Sequence, residues 1–594
     1  MKKKILSLCT ACVLCAATVL SAACTEIVPS EDALTQEEYP LSNLSGEFTV
    51  KDTELVTYYK EGSSVPYVSV KDLLAALDGV FDASGLQSSV SEEHGRYILY
   101  HEKDEFSTFV ANWEEDTITV SDTNFFAGLM QELGGTDYNA HTQMLTEWAT
   151  PVQAATFDLG KYGFDIVFYD GQLLLPFCIA NLLFCGTNLY NVYFNGEAYY
   201  GQLQSEISGM SAEEWAKIRT CEWNGSEASA EMRRTTVNFL EFALDHFYGL
   251  KDYKNIGTFG EDVIAGDLRT ALLSGDAATH NQAYIDLFQK TLNEMHTTLI
   301  SPSFFAEANG QFDLNGENAG SALTSYMTLF NELSANMVNS VAEVVQMPDG
   351  SMGMSIPAVR FEGDTAVIML SSFSVGADDL IYNEDGTVSD NARQYDTFYF
   401  MKYAMEKIEE YSVENGTEIE NVVLDLTLNS GGMLAAMVSA LGFLTDEPIV
   451  YSYGNLITKN YAVDYYLVDS DDDGDYRDED AYDMYDWYVL TSPLTFSAAN
   501  FFTSIAKDMG IATVIGEQSG GGTCSVFTLV LPDGMTVNIS GSHLVLQSPA
   551  YSEGVVVGGN LVESGITPDI ALERLYFYDD QAIIEAIQSA KAHS

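Results

Sequence analysis

The stretch YVLTSPLTFSAANFFTSIAKDMGIATVIGEQSGGG (residues 488–522) decides how this chain folds. Tyr488, Val489 and Leu490 make a short buried strand, Pro493 forces a turn, and Ala498, Phe501, Phe502 and Ile505 recur at helical spacing. Ser497 therefore opens a helix just after a strand. A hydroxyl there meets unpaired amides and the positive end of the helix dipole, which suits a nucleophile whose attack leaves an oxyanion among donors. A helix start is equally the commonest place for a serine to act as an N-cap. The rest of the chain has to decide between the two.

The same strand-and-helix grammar continues on both sides. Strand AVIMLSSF (366–373), helix DTFYFMKYAMEKIEEYS (396–412), strand NVVLDLTL (421–428), helix MLAAMVSALGFL (433–444) and strand PIVYSYG (448–454) precede it, and hairpin strands VFTLVLPDGMTVNIS (526–540) follow. Alternation of this kind predicts an α/β domain over 351–594, a mixed, mostly parallel sheet with covering helices. Sites in such sheets lie at the carboxyl ends of strands, where LNSGG follows one strand and Ser497 another. Residues 226–350 read as helical: 231–250 carries apolar residues at three and four spacing and closes on a glycine, with further helical stretches over 262–295 and 321–345. His296 ends the second of these, beside a β-prone run. Residues 39–225 read as small α+β modules, with an early strand-then-helix at 65–77 and a similar theme returning at 162–184. His94, His101 and His141 lie in separate segments without ligand spacing.

A formal charge of −61, from 87 acidic against 26 basic groups, excludes nucleic acid as a partner. Hydrophobic residues at 46% exclude wholesale disorder. Residues 1–24 read as an export signal: Lys2, Lys3 and Lys4, an apolar run over 5–20, then Ser21-Ala22-Ala23-Cys24. Small residues before Cys24 resemble a bacterial lipobox, which implies lipidation of that cysteine. Leu20 stands one place early for that pattern, so plain secretion stays open. Residues 25–38 form an acidic tether, and no later segment is apolar enough to span a bilayer, so membrane contact is expected only through the N-terminal lipid. Cys178, Cys185, Cys221 and Cys524 lack CxxC spacing, which argues against a zinc knuckle or thiol redox centre; a disulfide to Cys221 and buried free thiols are both open.

Four separated stretches, read together, resemble the S41 peptidase family, which holds the carboxyl-terminal processing proteases and the tricorn protease. VVLDLTLNSGG resembles its D-x-R-x-N-x-GG signature through Asp425, Asn429, Gly431 and Gly432, with Thr427 for the arginine. LTSPLTFSAANFF resembles the nucleophile segment through Ser497-Ala498-Ala499, with Asn500 for a frequent glutamate. ATVIGEQSGGG and LVESGITPDI (561–570) resemble the glycine turn and the closing segment. Where processing proteases carry a lysine base in the glycine turn, this chain has Gly520-Gly521-Gly522. NEMHTTL is similar instead to the histidine segment of tricorn-like members, with His296 and Thr297 matching, Glu294 for aspartate and Met295 for glycine or serine. The resemblance implies a ClpP/crotonase-like catalytic core and a serine endopeptidase acting on peptide or protein substrates outside the cytoplasm. It implies Ser497 as nucleophile, His296 as base, Glu563 as orienting carboxylate, and the Gly431 and Ala498 amides as oxyanion hole, with no cofactor needed for catalysis. The segment between His296 and Ala366 is short for the PDZ domain many members carry, so none is expected. The competing reading is an inactive S41 fold that binds peptide or apolar ligands at the cell surface.

A second signal precedes the nucleophile strand. DSDDDGDYRDED (469–480) offers Asp469, Asp471 and Asp473 at positions one, three and five, Gly474 at six, Asp475 at seven and Asp480 at twelve, the spacing of an EF-hand loop. It predicts a structural Ca²⁺ site; a solvated acidic loop in an acidic protein is the plainer alternative.

Overall fold

A computed structural model describes residues 34–102, 104–122, 124–131, 141–150, 152–346, 351–552 and 555–593. The export signal, Cys24 and most of the acidic tether lie outside the described residues.

The six-stranded sheet that carries the site runs in the order Val359–Glu362, Thr365–Met369, Asn421–Asp425, Asp486–Thr491, Thr513–Gly516, Ile570–Ala571. Only the first strand is antiparallel to its neighbour. Asn421–Asp425 is buried at every position, as a strand covered on both faces must be. Helices Thr397–Asn415, Leu434–Gly442 and Ala498–Met509 cover one face through Met405, Leu441 and Phe502. Helices Ser321–Val341 and Asp580–His593 cover the other through Leu333 and Ile583. The mixed, mostly parallel sheet expected from the alternation is therefore present, and Ser497 stands at its carboxyl end.

The run at 448–454, expected to extend that sheet, does not. Ile449–Asn455 instead pairs antiparallel with Asn460–Val468 and with the long strand Thr536–Ser552, in a second sheet that also takes Thr298–Ser301, Cys524–Val530 and Val555–Leu561. Asn460–Val468 pairs further with Thr142–Ala149, so a strand from the N-terminal third completes a sheet of the C-terminal half. Residues 39–225 thus share packing with the rest of the chain. One core continues from Leu41 of the N-terminal seven-stranded sheet through Phe242 of helix Ala230–Phe247 to Leu544. The expected helix over 262–295 is broken into Gly266–Leu272, Ala277–Ile285 and a π-helical turn Asp286–Leu292 that ends in left-handed Asn293. That break turns the chain toward His296. Cys178, Cys185, Cys221 and Cys524 are free thiols.

Candidate active site

Ser497 has φ 54° and ψ −125°, a conformation open to few residues other than glycine, and its side chain makes no capping bond to the helix it opens. An N-cap serine adopts ordinary extended angles and accepts a first-turn backbone N–H with its side-chain oxygen; Ser497 does neither. Backbone bonds hold it there: its N–H donates to Gly521 O at 2.9 Å, and its C=O accepts from Phe501 N–H at 2.9 Å. Strain of this kind costs about 1–3 kcal/mol and persists only where the surroundings enforce it.

Those surroundings are the loops of the motifs singled out in the sequence. Fully buried Asn429 donates to Leu370 O at 3.1 Å, accepts from Gly431 N–H at 2.8 Å, and its own C=O accepts from Phe496 N–H at 3.2 Å, tying three strand ends together. Gly431, at φ 109°, packs so closely that a Cβ there would lie 2.9 Å from Ser497 Cβ. Because the Gly431 amide is already donated to Asn429, it cannot also serve an oxyanion in this conformation. Among the described residues, no hydrogen bond uses the amides of Gly432 or Ala498. The Ala498 and Gly432 amides are therefore free donors, whereas that of Gly431 is taken. Asn500, which stands for the frequent glutamate, donates to Val562 O at 3.1 Å and accepts from Ser519 Oγ at 2.6 Å, fastening the closing segment to the nucleophile helix. Thr427, which stands for the arginine, donates to Asp425 Oδ1 at 2.6 Å, and burial pushes the Asp425 carboxyl up while Arg360, on the edge strand two places away, opposes it.

His296 is buried with its ring 4.7 Å from that of Phe496, the residue before Ser497. Its Nε2 is buried and has no hydrogen-bond partner. Burial holds the imidazole below its ordinary value, against the opposing pull of the Glu294 carboxylate. Glu294 accepts the His296 backbone N–H at 2.7 Å and the Thr297 hydroxyl, so it fixes the segment that presents the ring. Glu563 takes a different place from the one expected. No hydrogen bond among the described residues joins it to His296; it accepts Thr523 N–H at 2.8 Å and braces the glycine turn. Burial pushes its carboxyl up to about 7, with Glu294 acting in the same direction and the Thr523 N–H and Lys254 opposing. Sequence reading missed Tyr248, whose buried hydroxyl has no partner and which burial, then Glu294, Cys524 and Glu563, hold in the neutral form. Its only signal was its place at the end of the apolar helix Ala230–Phe247.

The raised Glu563 value has a consequence for stability. A carboxyl whose folded value exceeds its ordinary 4.5 contributes stability that is complete below 4.5 and is lost as pH rises through about 7. The difference corresponds to about 3 kcal/mol between pH 4.5 and pH 8. Denaturant unfolding of wild type and Glu563→Gln across that range is expected to show the wild type losing this much relative to the variant, and parallel curves would refute it.

The acidic loop brings one oxygen each of Asp469, Asp471 and Asp473 within 4.8 Å of one another. Asp469 accepts the amides of Asp472 and Gly474 at 2.7 and 2.8 Å, and Gly474 has φ 88°. Asp475 accepts Arg477 N–H at 3.2 Å, and Asp480 Oδ2 accepts Ser470 N–H at 2.6 Å, closing the loop on itself. Asp446, beyond helix Leu434–Gly442, accepts the Ala481 amide at 2.9 Å and anchors the loop's far end.

A further cavity of about 570 Å³ opens beside the nucleophile loops, between Tyr326, Phe330 and Met337 of helix Ser321–Val341 and the strand ends at Leu370, Leu428 and Ser430. Ser430 directly precedes the glycine packed on Ser497.

Residues 365–572 match the family model described as peptidase family S41. Similar solved structures include a photosystem II D1 C-terminal processing protease, 17% identical over 40% of this chain and 56% of that one, with a TM-score of 0.25. Mature CPAF complexed with lactacystin is 13% identical over 61% and 98%, with a TM-score of 0.36. The tricorn protease is 11% identical over 94% and 59%, with a TM-score of 0.29. The chain thus spans little more than half of the processing protease it matches. No curated protein sequence matches it. The matched segment holds Asn429, Gly431, Ser497, Gly521 and Glu563, so residues 365–572 are similar to peptidase family S41 over the stretch that carries the candidate nucleophile.

Proposed function

We propose that the protein is an extracytoplasmic endopeptidase, lipid-anchored through Cys24, in which Ser497 is the nucleophile and His296 the base. One observation carries this reading. A serine held in a strained backbone with a free hydroxyl follows directly on Phe496, whose ring packs against a buried imidazole with an unpaired Nε2. In the reaction, Ser497 Oγ attacks the scissile carbonyl while His296 Nε2 takes its proton. The oxyanion is received by the Ala498 and Gly432 amides. The imidazolium then returns the proton to the leaving amine, and water repeats the sequence on the acyl-enzyme. Glu294 steadies His296, and Glu563 keeps the glycine turn that holds Ser497 in place. Among the described residues, no helix is long and apolar enough to cross a membrane.

A serine-directed fluorophosphonate is expected to modify the mature protein at Ser497, located by peptide mass mapping. Absence of the adduct in a protein that still retains peptide would put the inactive, ligand-binding reading first.

The reading includes Ca²⁺ in the 469–480 loop as a structural ion, bound by Asp469, Asp471, Asp473, Asp475 and Asp480. Its chemistry would be to neutralise carboxylates that the fold crowds together. Chelation is expected to lower the melting temperature, with recovery on adding Ca²⁺ but not Mg²⁺, whose tighter octahedral demand suits this loop poorly. A melting curve indifferent to chelator would leave the loop an ordinary acidic turn.

A further inference from the structure

Another cavity, of about 380 Å³, lies in the N-terminal half and shares none of its lining with the Ser497 cluster. Its walls are aromatic, from Tyr39, Tyr59, Phe177, Phe194 and Trp223, and its floor is the tip of the hairpin at 530–532. Glu37 is the one charged side chain in the lining, and the Tyr39 hydroxyl donates to it. A second carboxylate, Glu231, stands at the mouth, accepting from Ser63 Oγ at 2.8 Å and from Ser64 N–H at 2.7 Å. Ring faces are the negative ends of aromatic quadrupoles, and with a carboxylate among them they attract cations. No basic side chain lines the cavity to answer them.

The backbone beside the cavity is also incomplete. Strand Thr35–Asn43 pairs with Thr53–Tyr59 from Thr35↔Tyr59 to Leu41↔Thr53, but with Tyr199–Leu203 only across Leu41–Asn43. Among the described residues, its 35–40 half therefore has one open edge. Thr35, Glu37 and Tyr39, two residues apart, fall on the face that looks into the cavity. An open edge is a template for an extended chain, whose main-chain bonds give affinity while alternate side chains enter pockets.

We propose that this edge and cavity together form a peptide-docking site. An extended segment adds as a strand beside residues 35–40 and places an arginine or lysine side chain among the rings, against Glu37. This goes beyond the peptidase reading, since it needs no group of the Ser497 cluster. The formal charge of −61 favours such a segment before it docks. The hairpin that floors the cavity leads back to Thr523, whose amide binds Glu563, so a docked chain rests on an element continuous with the glycine turn.

The test uses the mature chain carrying Ser497→Ala, so that cleavage cannot consume the probe and the result stands whether or not the protein hydrolyses peptides. Fluorescence anisotropy compares a labelled TVRVT pentapeptide with its TVEVT counterpart. The arginine peptide is expected to bind one to one and the glutamate peptide about tenfold more weakly or worse. Glu37→Lys, at an exposed position, is expected to weaken the arginine peptide by about tenfold without moving the melting temperature, and Trp223→Leu to weaken it by a similar factor while also lowering the melting temperature, because its ring stacks on Phe305. Methylating alternate backbone nitrogens of the peptide is expected to abolish binding, because strand addition needs those donors. Equal affinity for the two peptides, indifference to Glu37→Lys, or indifference to N-methylation would overturn the proposal. So would self-association of the chain through this edge, seen by sedimentation, in place of peptide binding.

Discussion

Ser497→Ala, His296→Ala and the double variant are expected to lose peptidase activity by nearly the same factor, about a thousandfold to a millionfold in kcat. Groups that act as one unit are grossly non-additive, since a base without its nucleophile, or the reverse, has nothing left to do. The structure gives this a specific form. The Ser497 hydroxyl is not engaged in capping, and the His296 Nε2 is buried without a partner, so neither side chain has a structural hydrogen bond whose loss would disturb the fold. Activity should therefore vanish while unfolding stays close to wild type for Ser497→Ala. The pH profile adds a second readout. The neutral imidazole is the active form, and burial holds His296 below its ordinary 6.5, so the acid limb of kcat/KM is expected to fall below that value. Glu294 opposes burial, so Glu294→Gln should move the limb further toward acid. A limb above 6.5, or additive losses in the double variant, would remove His296 from the role of base.

The catalytic sheet was legible because its determinants are local. A buried strand such as Asn421–Asp425 reads as an unbroken apolar run, and each following helix declares itself by its own period. Ser497 was legible as a helix start for the same reason, and its left-handed strain was not, because nothing in TFSAAN marks a backbone enforced by Gly521 and Asn429 from other segments. The second sheet was opaque for a related reason. Tyr451, Tyr453 and Tyr465 alternate as any half-buried strand does, but alternation says which face is inward and nothing about which strand lies alongside. Ile449–Asn455 follows a helix, as a parallel strand would, and only its pairing with Asn460–Val468 and Thr536–Ser552 places it elsewhere. Thr142–Ala149 joins across more than three hundred positions, a contact no local pattern encodes. Glu294 and Glu563 were found through motifs, yet it is Glu294 that holds the His296 segment, while Glu563 binds Thr523. Motif position located both carboxylates near the base, whereas their hydrogen bonds depend on a π-helical turn and a glycine turn whose paths emerge only on folding.

Gly521→Ala is expected to cost about 2–5 kcal/mol and most of the activity, and Gly521→Lys no less. Gly521 has φ 86°, a region that costs a residue with a Cβ about 1–2 kcal/mol, and a Cβ there would sit 1.8 Å from Glu563 O and 2.7 Å from its carbonyl carbon. Those are backbone atoms, so relief requires moving the chain, and overpacking of this kind adds about 1–3 kcal/mol. The displaced atoms belong to the residue whose carboxylate braces Thr523. Gly521 O is also the acceptor that fixes the Ser497 amide. One added methyl therefore strains the turn, the carboxylate and the nucleophile together. This also explains in physical terms why a lysine base is foreign to this chain: the position it would occupy has no room for a first side-chain carbon. Gly510 supplies the control. It ends the same helix at φ 70° with nothing within 4 Å of its Cβ position, so Gly510→Ala should cost only the backbone term of about 1 kcal/mol and leave activity intact. Denaturant unfolding and peptide hydrolysis measured on the three variants decide the matter. A Gly521→Ala protein as stable and active as Gly510→Ala would mean that the turn is free to move and that Glu563 does not hold it.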